Sequence, residues 1–457
     1  MELSELTAIS PIDGRYSGKT GSLRGYFSEF ALIRNRCRVE IEWLKVLCSG
    51  PNVFDEIPRL SSSSVSKLDL FITQFDIDSA SKVKKIESTT RHDVKAVEYF
   101  LKSQLESHSD LVPVLEFVHF TCTSEDINNL SWALSLKDSR EAVLLPAMDK
   151  LILALKKRAR EFADIPMLSR THGQSATPTT LGKEFQNVVK RLEIQRSHYA
   201  NIPIRGKFNG AVGNFNAALV AFPTVDWIAV SKQLVESLGL EYSLHTTQIE
   251  PHDYIAELFD TVSRFNTILL DFSRDMWTYI SLGYFNQMRL DGEVGSSTMP
   301  HKLNPIDFEN AEGNIGIAEA MMHHMARKLP ISRMQRDLSD STVLRNLGVG
   351  YAHALIAYSS LTFGLSKVNP NRELIVEELS QHWELLAEPI QTVMRKYGLE
   401  TPYEQLKLLT QGKVVTRETI VQFINLIPEK LPQSEREMLL QLTPQSYLGI
   451  APSLAKQ

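Results

Sequence analysis

From Tyr254 to Leu282 the chain runs without a glycine or a proline, and Ile255, Leu258, Phe259, Val262, Phe265, Leu269, Phe272, Met276 and Ile280 recur along it at intervals of three and four. At 3.6 residues per turn that spacing gathers the apolar side chains on one face, so the segment reads as a single amphipathic helix roughly 40 Å long. A helix of that length cannot cover its own apolar stripe. It needs partners of similar length, and the fold that supplies them is a helical bundle.

The partners are present. Leu144–Phe162, Pro178–Ala200, Ile306–Leu329 and Thr342–Leu365 show the same periodicity, which predicts a five-helix core in the middle of the chain. Met321, Met322, Tyr351, Leu355, Tyr358 and Leu361 place apolar surface on more than one face of their helices. That pattern points to burial against other subunits as well as within the bundle, with ordinary core packing as the alternative.

The flanks differ. Before the bundle, the Ser61–Ser64 run that follows Pro51 and Pro58 reads as a loop, and Pro113 falls where a mostly helical first domain gives way to the long helices. Beyond Leu365, Pro370, Gly398, Pro402, Gly412, Pro428, Pro432 and Pro444 interrupt the chain every few turns, so helices there must be short. The expected organisation is a helical N-terminal domain over 1–112, a central bundle domain over 113–365 and a small helical C-terminal domain over 366–457.

Bulk properties narrow the function. With 49 Lys and Arg against 54 Asp and Glu the formal charge is −5, which gives no field for holding a nucleic acid. Cys37, Cys48 and Cys122 are far apart and make no Cys-x-x-Cys pair, so reduced thiols are expected, and no metal site built on them. No apolar run approaches the roughly 18 residues of a membrane span, and Glu2, Glu5, Pro11 and Asp13 break up the first turns where a secretory signal needs an apolar stretch. The expectation is a cytoplasmic protein without membrane contact.

Five polar segments stand out from the helical pattern. Gly295-Ser296-Ser297-Thr298-Met299-Pro300-His301-Lys302-Leu303-Asn304-Pro305 concentrates hydroxyls, a histidine, a lysine and an amide behind a flexible glycine. Asn304 and Pro305 also make a good N-cap and N1 pair for the following helix, whose first turn holds Asp307 and Glu309. Ser169 to Pro178 reads as a polar loop carrying His172 and entering a helix at Thr177-Pro178, where free N–H groups suit an anion. A lone histidine in such a loop is otherwise a hydrogen-bonded structural residue.

Thr89–Val94 and Thr121–Asp126 are the third and fourth, and Thr123 with Asp126 has the spacing of a capping box. The fifth, Arg333 to Arg345, sets three arginines among hydroxyls at a helix start. Such a group suits phosphate or carboxylate, or else forms a solvated cap with local ion pairs.

Together these segments resemble the fumarase and aspartase superfamily, whose members share a loop of the Gly-Ser-Ser-x-Met-Pro-x-Lys-x-Asn-Pro type, here Gly295 to Pro305. Ser10–Tyr16, Arg91-His92-Asp93, Thr123–Asn129, Gly206–Gly213 and Thr246–His252 extend the likeness over nearly the whole chain. They narrow it to the branch acting on succinylated purine nucleotides. Ser175 departs from the pattern, which usually has proline there.

The resemblance implies an all-α, three-domain enzyme whose five central helices join those of three copies in a twenty-helix core, a homotetramer with shared active sites. It implies β-elimination of fumarate from two nucleotide substrates of purine synthesis, without metal or organic cofactor. His172 would be the general acid, oriented by Glu309, and Ser296 the general base, with Lys302 stabilising charge.

Arg15, Tyr16, Arg336, Ser341 and Arg345 would hold the phosphate and ribose side. His92, Asp93, Thr123, Ser124 and Gln248, with Lys302, would surround the succinyl side, and Arg91, Ser297, Leu303, Asn304, Asn310 and Thr342 complete the expected binding set. A superfamily member acting on argininosuccinate or aspartate is the rival; the arginine-rich segment weighs against it. A non-enzymatic helical scaffold would have no reason to keep Ser296, His172, Lys302 and Glu309 together.

Overall fold

A computed structural model of the chain describes every residue except 50–53, 55, 293 and 413. The five predicted helices of the bundle are Leu145–Glu161, Leu181–Asn201, Asp253–Ser281, Ile306–Lys328 and Leu347–Ser366, each within a few residues of the span its periodicity predicts, and Glu29–Ser49 is a further helix of similar length. After Ser366 no helix among the described residues exceeds ten residues, as the proline and glycine punctuation requires. No helix of the described residues is long and apolar enough to cross a membrane.

The chain divides into two compact units. One comprises Met1–Met148, Gln195–Thr267 and Gly313–Ser359; the other comprises Asp149–Ile194, Ile268–Glu312 and Ser360–Gln457. In the first, Tyr351 sits fully buried among Phe27, Tyr199 and Phe259, with ring centroids 5.8, 6.5 and 5.3 Å away, and its hydroxyl meets that of Tyr199 at 3.1 Å. Tyr358 donates to Asn266 Oδ1 at 2.7 Å, which satisfies a buried hydroxyl that would otherwise cost about 1–3 kcal/mol.

Met322, Tyr351, Leu355, Tyr358 and Leu361 are therefore buried by their own chain. Core packing, and not association, accounts for their all-round apolar pattern. Other side chains on the long helices remain outside: Leu153, Ile194, Trp277, Ile317 and Phe363 are each at least 45% exposed.

The second unit packs Phe185 against Phe162 at 5.6 Å and Phe272 at 5.3 Å, and it carries a separate apolar cluster around Ile390, Met394, Leu406, Ile420 and Ile424. Its most prominent strand pair is a hairpin, Pro166–Thr171 antiparallel to Gln174–Thr180. This corrects the reading of a loop entering a helix at Thr177-Pro178. The β-branched Thr177, Thr179 and Thr180 extend a strand, the next helix starts only at Leu181, and no helix N-terminus stands at Thr177. Ser61, expected in a loop, instead N-caps the helix Ser62–Thr73 by accepting the Ser64 N–H at 3.1 Å.

Candidate active site

In the second unit the signature loop is closed at its neck. A Cβ on Gly295 would stand 2.5 Å from the Lys302 carbonyl oxygen and 2.6 Å from Leu303 Cδ2, so only glycine fits there. Gln287 Nε2 donates to the Leu303 carbonyl at 2.7 Å, and Asn304 Nδ2 reaches the Gly295 carbonyl at 3.5 Å. Asn304 thus spans the neck instead of capping the next helix. Pro305 takes the cap position, its carbonyl accepting the Phe308 and Glu309 N–H groups.

Within the loop, Ser296 Oγ accepts the backbone N–H of Thr298 at 3.3 Å and of Met299 at 3.1 Å. Two N–H dipoles aimed at one oxygen favour negative charge on it, which is what a serine needs to act as a base. Ser297 Oγ lies 3.5 Å from Thr298 Oγ1, Lys302 is exposed beyond the turn its N–H closes on Met299, and Leu303 is half-buried.

The helix Ile306–Lys328 then presents Glu309 and Asn310. Trp277 Nε1–H donates to Glu309 Oε1 at 3.2 Å, and Ser360 Oγ–H donates to Asn310 Oδ1 at 2.8 Å. His172 sits exposed at the hairpin tip, where it and Gly173 have φ of 54° and 74°. Two positive φ values at the centre of a two-residue turn are the type I′ signature that matches strand twist. Within the chain His172 and Glu309 do not hydrogen-bond to each other.

In the first unit the expected binding residues gather in two groups. Arg345 pairs with Glu29 at 2.8 Å and with Asp93 at 3.4 Å, and Asp93 also pairs with Arg36 at 2.6 Å. Burial raises the Asp93 pKa, but Arg36, the Val94 N–H and Arg345 outweigh it and hold the carboxyl below the usual range. Arg345 also lines a cavity of about 310 Å³ with Ser10, Asp13, Arg24 and Ser28, beside the exposed Arg15 and half-buried Tyr16.

His92 N-caps the helix Asp93–Leu105, Nδ1 accepting the Lys95 N–H at 3.2 Å, so a neutral ring carries its proton on Nε2. Arg91, exposed and left-handed at φ 53°, ends the preceding helix.

The second group surrounds Arg336. Its Nη1 donates to Gln248 Oε1 at 3.1 Å, and its Nη2 pairs with Glu125 at 3.1 Å. Gln248 is fixed further by donating Nε2–H to the Ala211 carbonyl at 3.1 Å. The capping box of Thr123 and Asp126 is present, with Ser124 next to it in the first turn of Ser124–Ser139. Ser341 is half-buried and Thr342 exposed on the short helix Ser339–Leu344. The arginines of this stretch divide: Arg333 makes the local, solvated ion pair with Asp337, while Arg336 turns inward.

Sequence reading passed over the side chains packed behind Arg336. Glu250, His252 and Asp340 are all buried, and the histidine ring lies 3.8 Å from one carboxylate and 3.9 Å from the other. Glu250-Pro251-His252 just before a long helix was the available signal; the remote Asp340 carried none.

A bundle of long helices with a Gly-Ser-Ser-x-Met-Pro loop defines a class, the lyases. Residues 14–318 match the family model described as lyase, and residues 332–448 match the one described as adenylosuccinate lyase C-terminal. Adenylosuccinate lyase of Vibrio cholerae is 56% identical over 452 residues, covering 99% of this chain and 98% of that protein. The Escherichia coli K12 protein of that name is 55% identical over 451 residues, and the Haemophilus influenzae one is 54% identical over the full length of both chains.

The chain belongs to the adenylosuccinate lyase family and is an enzyme that breaks carbon–nitrogen bonds. Among solved structures, 3-carboxy-cis,cis-muconate lactonizing enzyme from Pseudomonas putida superposes with a TM-score of 0.72 at 20% identity over 95% of each chain, a likeness of fold.

Proposed function

We propose that this enzyme eliminates fumarate from adenylosuccinate, giving AMP, and from the succinyl-aminoimidazole-carboxamide ribotide, giving the aminoimidazole-carboxamide ribotide. The geometry at Ser296 supports this best: two backbone N–H groups converge on Oγ in a loop that also carries Lys302. Abstracting the proton beside a carboxylate builds a doubly charged aci-carboxylate, and such charge is stabilised by preorganised cations and N–H donors. Ser296 is the base, Lys302 and Asn304 stabilise the developing charge, and His172 protonates the departing nitrogen.

Glu309 is the orienting carboxylate for His172. Arg15, Tyr16, Arg336, Ser341 and Arg345 take the phosphate and ribose, and His92, Asp93, Thr123, Ser124 and Gln248 take the succinyl side. Arg91, Ser297, Leu303, Asn310 and Thr342 complete the set of binding residues. Asp93 is held in place there by its ion pairs with Arg36 and Arg345.

The working form is a cytoplasmic homotetramer with shared active sites and a three-domain subunit of 1–112, 113–365 and 366–457. The exposed apolar side chains of the long helices and the unpartnered ring of His172 support association. Incubation with adenylosuccinate, followed by proton NMR, should show fumarate growing in, and Ser296→Ala should abolish it while leaving nucleotide binding. Near-normal turnover by Ser296→Ala, or no fumarate from the wild type, would overturn the assignment.

A further inference from the structure

The group behind Arg336 is unusual in its burial. His252 is 2% exposed and Asp340 is 2% exposed, with Glu125 at 1% and Glu250 at 3%. Neither ring nitrogen of His252 has a hydrogen-bond partner within ordinary range, yet Glu250 Oε2 lies 3.8 Å from Nδ1 and Asp340 Oδ2 lies 3.9 Å from Nε2. The ring is thus held between two carboxylates. On the far side, Asp340 Oδ1 and Glu125 Oε2 face Arg336 Nη2 at 3.9 and 3.1 Å.

The backbone pins the histidine. Its φ is 65°, a left-handed conformation that few side chains adopt, and its N–H donates to Glu250 Oε2 at 2.7 Å. Its carbonyl accepts the first bonds of the helix Asp253–Ser281. Strain of this kind persists only where the surroundings over-determine it.

Glu125, His252 and Asp340 present ligand atoms close enough to hold a divalent cation. A cation there would face the guanidinium of Arg336 and the buried Lys207 ammonium that pairs with Asp126 one residue from Glu125. The positive charge the carboxylates require is already supplied by Arg336.

We propose that Glu125, Asp340 and His252 form a buried cluster that positions Arg336 for the substrate phosphate, with the His252 ring packed behind the Asp340 carboxylate and limiting its movement. The inference rests on the reading that Arg336 is a phosphate ligand. A guanidinium anchored by Glu125 and Gln248, with Asp340 behind it, offers its remaining N–H groups in a fixed direction, and such pre-orientation lowers the entropy lost on binding. Contacts to a remote phosphate are made equally in ground and transition states, so their loss appears in KM more than in kcat.

The test is a double-mutant cycle on the full enzyme with adenylosuccinate as substrate. Arg336→Lys should raise KM. His252→Asn keeps a residue that tolerates the left-handed backbone but removes the ring, and it should raise KM about tenfold, with kcat changed less than about threefold. In the Arg336→Lys background the same change should add less than about twofold, because its effect passes through the arginine. Asp340→Asn gives a second arm should His252→Asn not fold, as checked by circular dichroism, and dialysis against a chelator should leave KM unchanged.

A normal KM in Arg336→Lys would remove the phosphate reading itself. A raised KM in Arg336→Lys together with fully multiplicative effects of His252→Asn or Asp340→Asn would overturn the positioning role alone. So would a loss confined to kcat, or a KM that rises on chelation.

Discussion

Lys207 Nζ lies 2.9 Å from Asp126 Oδ1, and neither side chain is exposed at all. The same carboxylate accepts the N–H groups of Thr123, Asn209 and Gly210, and Lys207 also donates to the Gly210 carbonyl at 3.0 Å. One buried pair therefore ties the Thr123 cap to the 206–213 segment. Lys207→Met strands the carboxylate in the interior and should cost about 3–5 kcal/mol in urea unfolding. A loss below about 1 kcal/mol would mean that the three N–H groups suffice.

Gly295 closes the neck of the signature loop, so Gly295→Ala must push the Lys302 carbonyl aside. Displacing catalytic groups by about 1 Å can cost on the order of 10²-fold in rate. We expect a kcat loss of that size with the melting temperature moved by less than about 3 °C, because the loop lies outside the apolar cores. A variant with wild-type kcat would show that the neck does not set the position of Ser296.

Asn304 separates two roles by magnitude. As a cap it would contribute about 1 kcal/mol of stability and little to rate. As a donor beside the developing charge it should contribute about 3 kcal/mol of barrier, or some 10²-fold in kcat. Its contact with the Gly295 carbonyl in place of a helix cap favours the second, and steady-state kinetics with thermal melts of Asn304→Ala decide between them.

His119 Nδ1 meets the buried Glu40 Oε1 at 2.6 Å. Burial alone would lower the histidine pKa, but the hydrogen bond and charge of Glu40 raise it above its ordinary value of 6.5. A raised folded-state pKa gives stability that is complete below the unfolded value and is lost as pH rises through the folded one. Urea midpoints from about pH 5.5 to about pH 9 should fall for the wild type more than for His119→Asn, which also suits the left-handed backbone at φ 61°. Parallel profiles would refute the linkage.

Legibility in the sequence followed the range of the interactions. The five long helices came from periodicity, which is local, and the Thr123-Asp126 box from a spacing of three. The hairpin was missed because Thr177-Pro178 also fits a helix start; the His172-Gly173 pair between Thr171 and Gln174 was the competing sign of a two-residue turn. Asn304 was misplaced for a similar reason, since Asn-Pro is a good cap in isolation and its partner Gly295 is nine residues back. The Glu125, His252 and Asp340 grouping joins three distant segments, and no local pattern encodes it.

The two-residue tip at His172 leaves no slack in the chain. Alternate strand residues face opposite ways, so inserting or deleting one residue between Thr171 and Gln174 would turn the flanking side chains over and carry the imidazole with them. Loop grafts, tags and permuted termini engineered into this protein should spare that tip and the Glu378 and Glu388 side chains that pair with Arg170 and Thr177 of its strands.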